Sequence, residues 1–311
     1  MKEEKELRAK DVYFKTMLFV WLKLALGGAL FLVSLILLAI CLGLGSLGSG
    51  NGMIIAFFIW LLLTAAISGI VNRYIGYMLK AGHVAMVTTA VTTGALPENQ
   101  LQAATAMIKE RFAAANVYFV VDRLVSGAVS QLQRGLQKFD DLLGKIPGVS
   151  LIVSFAQLFV QIALGYVDEC CLGYTFLHRE QSAFKSAADG VVIYFQNWKR
   201  LMKDAAIMTL IVMGLSLLAW LLPFLLFAAI FAAFGIHWVF ALIIGIIVSA
   251  VIKSAFIDSW MMVKMMVSYM EVAPATQITF DLYDKLCKLS SKFKSLFTKG
   301  QQEQQTYGAQ M

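Results

Sequence analysis

The sequence predicts an all-α polytopic membrane protein, a bundle of helix hairpins with cytoplasmic amphipathic helices, laid out as three hairpin repeats. Three observations predict it. Of 311 residues, 59% are apolar and 14% charged, whereas a soluble domain has about 45–50% and about 25%. The apolar residues fall in long stretches, near or above the roughly 20 that a helix needs to cross a hydrocarbon core. The basic residues gather at the ends of those stretches, as the positive-inside rule expects. This composition excludes a soluble globular enzyme, a disordered chain and a small disulfide scaffold.

Residues 1–16 read as a cytoplasmic N-terminus carrying Lys2, Lys5, Arg8, Lys10 and Lys15. The apolar run that follows is too long for a signal-peptide core and opens a membrane domain over 17–273. The first hairpin, about 17–72, joins Met17 to Gly43 and Met53 to Val71 through the uncharged turn Leu44 to Gly52. Arg73, Lys80, Lys109 and Arg111 then mark the cytoplasmic side, with an amphipathic helix expected at about 98–112.

The next expected hairpin is 119–177. Its first half, 119–146, carries an apolar stripe of Val121, Val125, Ala128, Leu132, Leu136, Phe139, Leu143 and Ile146, recurring every three or four residues. The opposite face holds Arg123, Arg134, Lys138, Asp141 and Lys145. At roughly 2.5–3.5 kcal/mol for each such charge at mid-bilayer, that face cannot meet lipid. The helix therefore either lies in the interface or spans while sheltered by other helices. Pro147-Gly148 turns the chain into an apolar helix at 149–177, which bears a narrow polar stripe of Ser150, Ser154, Gln157, Gln161, Gly165 and Asp168. The stripe has two readings, a polar path or plain helix–helix packing through small and amide residues. A second crossing here also keeps the basic clusters before and after it on one side.

An amphipathic helix at about 182–203 follows, with Tyr194, Phe195 and Trp198 beside Lys199, Arg200 and Lys203. The hairpin at about 205–258 joins Ala205 to Phe234 and Ile236 to Ile257 around Gly235. Residues 274–311 form a basic amphipathic cytoplasmic tail. There Leu282, Leu286, Leu289, Phe293 and Leu296 face away from lysines that include Lys288 and Lys292. Each hairpin ends on a similar tetrad: Gly69-Ile70-Val71-Asn72, Gly165-Tyr166-Val167-Asp168 and Ala255-Phe256-Ile257-Asp258. Repeats of this kind are frequent in transporters.

The candidate polar path comprises Gln157, Gln161, Asp168, Arg134, Lys253, Asp258 and Asn72, because ionisable and amide groups at membrane depth are costly without a role. The same groups also suit headgroup-level capping and snorkelling. The candidate lipid interface comprises Trp198, Lys199, Arg200, Lys203, Lys288 and Lys292. The net charge of +7 fits anionic lipid at the cytoplasmic face. Adjacent Cys170 and Cys171 make a poor disulfide and read as buried thiols or palmitoylation sites. His83, His178 and His237 have no partner at ligand spacing, and no Walker A, GxGxxG or GxSxG element occurs. No metal, no cofactor, no nucleic-acid partner and no catalytic activity are expected.

Ser186-Ala187-Ala188-Asp189-Gly190, the run Asn197 to Arg200, the apolar hairpin 205–257 and Glu271 follow one another in an order that resembles the C-terminal membrane half of the choline transporter-like family. The resemblance covers less than a third of the chain and implies a membrane half of that pattern. It brings no substrate-binding residue with it. The leading expectation is a small transporter or pore, homo-oligomeric, with a polar interface between 119–146 and 149–177. The alternative is a non-transport scaffold or lipid-sensing accessory protein acting through its amphipathic helices. Both termini are expected in the cytoplasm.

Overall fold

The computed structural model describes residues 2–48, 51–112, 115–143, 160–235 and 238–308. It is all-helical, with no strand among the described residues. The order is α1 (Lys2–Lys15), α2 (Met17–Ser46), α3 (Gly52–Val71), a π segment (Asn72–Gly76), α4 (Tyr77–Thr93), α5 (Gln100–Arg111), α6 (Ala115–Leu143), α7 (Val167–Leu177) and α8 (Ala183–Gln196). There follow α9 (Trp198–Ala233), α10 (Trp238–Ile252), a second π segment (Lys253–Ile257), α11 (Asp258–Val272), a 3-10 turn (Ala273–Ala275), α12 (Phe280–Leu289) and α13 (Ser291–Gly308). Four helical stretches among the described residues are long and apolar enough to cross a bilayer: Met17–Ser46, Gly52–Thr93, Trp198–Ala233 and Ala241–Ala275. In the first three only 11% of the apolar window is buried, so these side chains face outward, which is compatible with an integral membrane protein.

The chain divides into two compact units. The apolar unit holds residues 17–80 and 213–259. Its first hairpin closes where two glycines meet: a Cβ on Gly52 would stand 2.5 Å from the Gly45 carbonyl oxygen. Deeper in, Trp60 packs with Cys41, Ala56, Leu37 and Leu38 and donates its indole N–H to the Ser34 carbonyl at 2.9 Å. Ser34 and Thr64 share a hydroxyl hydrogen bond of 3.3 Å. In lipid such internal pairing is obligatory, because no water is available for polar groups. Gly27 lies under Val251, and Trp21 meets Phe256 edge to face at 5.5 Å, so α2 seats against α10 and the second π segment.

The polar unit holds residues 1–16, 81–212 and 260–311. Its centre is α7 and α8, whose small residues let backbones approach. A Cβ on Gly190 would lie 3.1 Å from the Cys171 Cα, and Tyr269 donates to the Gly190 carbonyl at 3.1 Å. Cys170 and Cys171 are fully buried here, so neither thiol is accessible for palmitoylation. The α6 stripe is buried at Val121, Val125, Ala128 and Leu132, with Val129 beside it, while the side chains of Leu136, Phe139, Leu143 and Ile146 lie outside the described residues. α13 lies so close to the start of α8 that a Cβ on Gly300 would stand 2.8 Å from the Lys185 backbone.

The expected hairpin 119–177 takes a different form from the continuous pair of helices read from sequence. α6 is present, yet its charges keep it out of the four apolar stretches. The stretch 144–159, with Pro147, Gly148 and Gln157, lies outside the described residues. The helical turn at 160–164 breaks at Gly165-Tyr166, where the Gly165 N–H bonds back to both Gln161 and Ile162 carbonyls. α7 then begins afresh. Glycine is a poor helix former, and here it coincides with the end of the turn.

Candidate functional site

α6 presents Ser126, Ser130 and Gln133 on one face, at helical spacings of four and three. The break at Gly165 lets Asp168, in the first turn of α7, stand opposite them. The Ser126 hydroxyl donates to the Asp168 carboxylate at 3.2 Å. Together with Val129, Leu164 and Gly165, these residues line a half-open cleft of about 170 Å³. A carboxylate with two hydroxyls and an amide can bind a small polar or cationic group. This cleft occupies the interface expected between the two segments.

The other expected path residues lie elsewhere. Gln161 and Arg134 are exposed within the same polar unit. Lys253 and Asp258 belong to the apolar unit, where they form an ion pair of 2.6 Å across the second π segment. Asn72 is exposed at the start of the first π segment. Gln157 lies outside the described residues. The expected lipid-interface residues Lys199, Arg200, Lys203, Lys288 and Lys292 are all exposed, and Trp198 is half-buried. Arg200 reaches Glu271 at 3.3 Å.

Three polar clusters escaped the sequence reading. In the first, Arg111 donates to the carbonyls of Gln181 at 2.8 Å and His178 at 3.0 Å, and to the Ser186 hydroxyl at 2.9 Å. It thereby ties the α7–α8 turn to the end of α5. In the second, Asp189, 1% exposed, accepts from Lys185 and from the Tyr283 hydroxyl, which pins α12 to α8. The Lys185–Asp189 spacing of one helical turn was a readable signal. In the third, the Gln131 carbonyl oxygen accepts from the Ser290 hydroxyl at 2.7 Å and the Lys292 N–H at 3.1 Å, capping α13 from α6. No local pattern could reveal that pair, because 159 residues separate its partners.

Burial sets the electrostatics of this region. It raises the Asp189 carboxyl, with the hydrogen bond and charge of Lys185 opposing. It pushes the Tyr174 phenol up to about 12, helped by Asp189 and Glu180. The thiols of Cys170 and Cys171 are raised by burial first, then by neighbouring acidic groups. Glu180 is lowered by a backbone hydrogen bond and by His178. Among the described residues no group of three or more His, Cys, Asp or Glu could hold a metal ion. The chain matches no protein-family model, no curated protein and no solved structure.

Proposed function

We propose that this is a membrane-anchored helical protein of the non-transport kind, a scaffold or lipid-sensing accessory protein whose polar unit works at the cytoplasmic membrane surface. One observation carries this reading: several polar side chains of the apolar unit are bonded within it, whereas the polar unit combines a buried core with exposed basic residues. Ser34, Thr64 and Trp60 are joined, Lys23 donates to Ser259 at 2.9 Å, and Lys253 pairs with Asp258. Lys199, Lys203, Lys288 and Lys292 are exposed, as is Arg200 beside its partner Glu271. Basic residues at an anionic surface contribute about 1 kcal/mol each. In this reading the basic clusters that flank the four apolar stretches, and both termini, lie on the cytoplasmic side.

The test uses the full chain in phosphatidylcholine nanodiscs, mixed with vesicles containing phosphatidylserine. Co-sedimentation should fall with salt and fall further on the change K288E/K292E. Binding indifferent to both salt and charge reversal would sink the lipid-surface reading.

A second reading, transport, is favoured by the Ser126–Asp168 cleft and by the resemblance of 183–273 to the choline transporter-like family. Asp168→Asn should then abolish solute flux into proteoliposomes at unchanged expression. Flux that survives the substitution removes Asp168 from any path.

A further inference from the structure

We infer that residues 2–93 and 183–274 are two copies of one membrane module, set in the same sense, and that 95–182 is an insert between them. Element boundaries recur at one constant offset of 181 residues. α1 and α8 begin at 2 and 183 and end at 15 and 196. α2 and α9 begin at 17 and 198, after a single non-helical residue, Thr16 or Asn197. The π segments start at 72 and 253, and α4 and α11 at 77 and 258. The hairpins between, 17–71 and 198–252, are equal in length although their turns fall at different places.

Each match alone is weak, but the π segments are not. Such segments make up well under 1% of residues and arise as local insertions into an α-helix. Two of five residues at the same place in two hairpins have a simple origin in duplication. Residues agree at the same offset: Val12-Tyr13-Phe14-Lys15-Thr16 faces Ile193-Tyr194-Phe195-Gln196-Asn197. Burial agrees too. Residues 84–88 and their matches 265–269 are buried throughout, and Ala9 and Gly190 are small and buried at matched sites. The tetrad register read from the sequence, 69–72 with 255–258, differs by five residues from this offset and does not align the helix starts.

The duplicated module explains the membrane hairpins and their buried exit helices without reference to any specific partner. α5, α6, α7 and the cleft at Asp168 belong to neither copy. This holds whichever of the two functional readings stands.

Matched deletions in the full chain test it. A π segment is an α-helix with an extra residue, so deleting Ile75 or Phe256 should leave a regular helix with its flanks in phase. Both deletions should keep a monodisperse protein and lower Tm alike by a few degrees. Deleting Ala85 or Met266, matched buried residues of α4 and α11, should abolish the folded peak. Unequal effects of the two π deletions would overturn the equivalence, as would four deletions of the same effect. Independently, single cysteines at Leu47 and Phe234, in a background with native cysteines replaced, should react with an impermeant reagent from one side of the membrane. Reaction from opposite sides overturns the common sense of the two copies.

Discussion

α3 and α7 differ in a way that inverts ordinary expectation. α3 has no charged residue, and of its 20 residues only Ala56 and Trp60 are buried. α7 carries Asp168 and Glu169, yet nine of its eleven residues are buried. In water the more apolar helix would be the more enclosed. The exposure of α3 is compatible with lipid as its solvent, in which its side chains would have nothing to gain from leaving the surface. α7 lies among other helices and must satisfy its polar groups there, which Ser126 does for Asp168.

The comparison breaks most sharply at Arg111. Arg111→Met leaves two carbonyls and a hydroxyl of the polar unit without their charged donor. Each such loss costs about 1–3 kcal/mol, so a total of several kcal/mol and a large fall in Tm are expected. Next comes Gly300→Ala, whose methyl must displace the backbone of α8 at Lys185. Overpacking of that kind costs about 1–3 kcal/mol, and a thermal melt in nanodiscs would read it.

The acid–base behaviour of Asp189 separates the units further. Burial raises its carboxyl above the ordinary 3.8, so the folded chain binds this proton more tightly than the unfolded chain. Its contribution therefore favours folding at acid pH and is lost as pH rises through the raised value. The stability difference between wild type and Asp189→Asn should shrink, or turn in favour of the variant, over that window. A difference that grows with pH would contradict the assigned direction. The smallest effect is expected at Leu62→Ala in the apolar unit. Leu62 is 73% exposed, so the change should stay within about 0.5 kcal/mol.

Long apolar stretches made the hairpins of the apolar unit legible, because twenty apolar residues in a row have few alternatives to a membrane helix. The α6 stripe was legible for the same periodic reason, and Val121 to Leu132 are buried along it. The helix break at Gly165 and the enclosure of α7 were not legible. Apolarity at 149–177 fits a buried core as well as lipid, and only neighbours decide between them. The cleft was partly legible: Asp168 stood out as an acid in an apolar run, whereas Ser126 gave no sign of facing it.

By itself the sequence determined that this chain is helical and compatible with a bilayer, since composition and period act locally along the chain. It also determined where basic residues cluster, and the structure leaves Lys199, Arg200, Lys203, Lys288 and Lys292 exposed there. Tertiary structure alone decided which polar groups meet. Arg111 with the α7–α8 turn, Asp189 with Tyr283, and Gln131 with Ser290 join residues about 70 to 160 positions apart. Contacts at such separation depend on helix packing in three dimensions, and no local spacing encodes them.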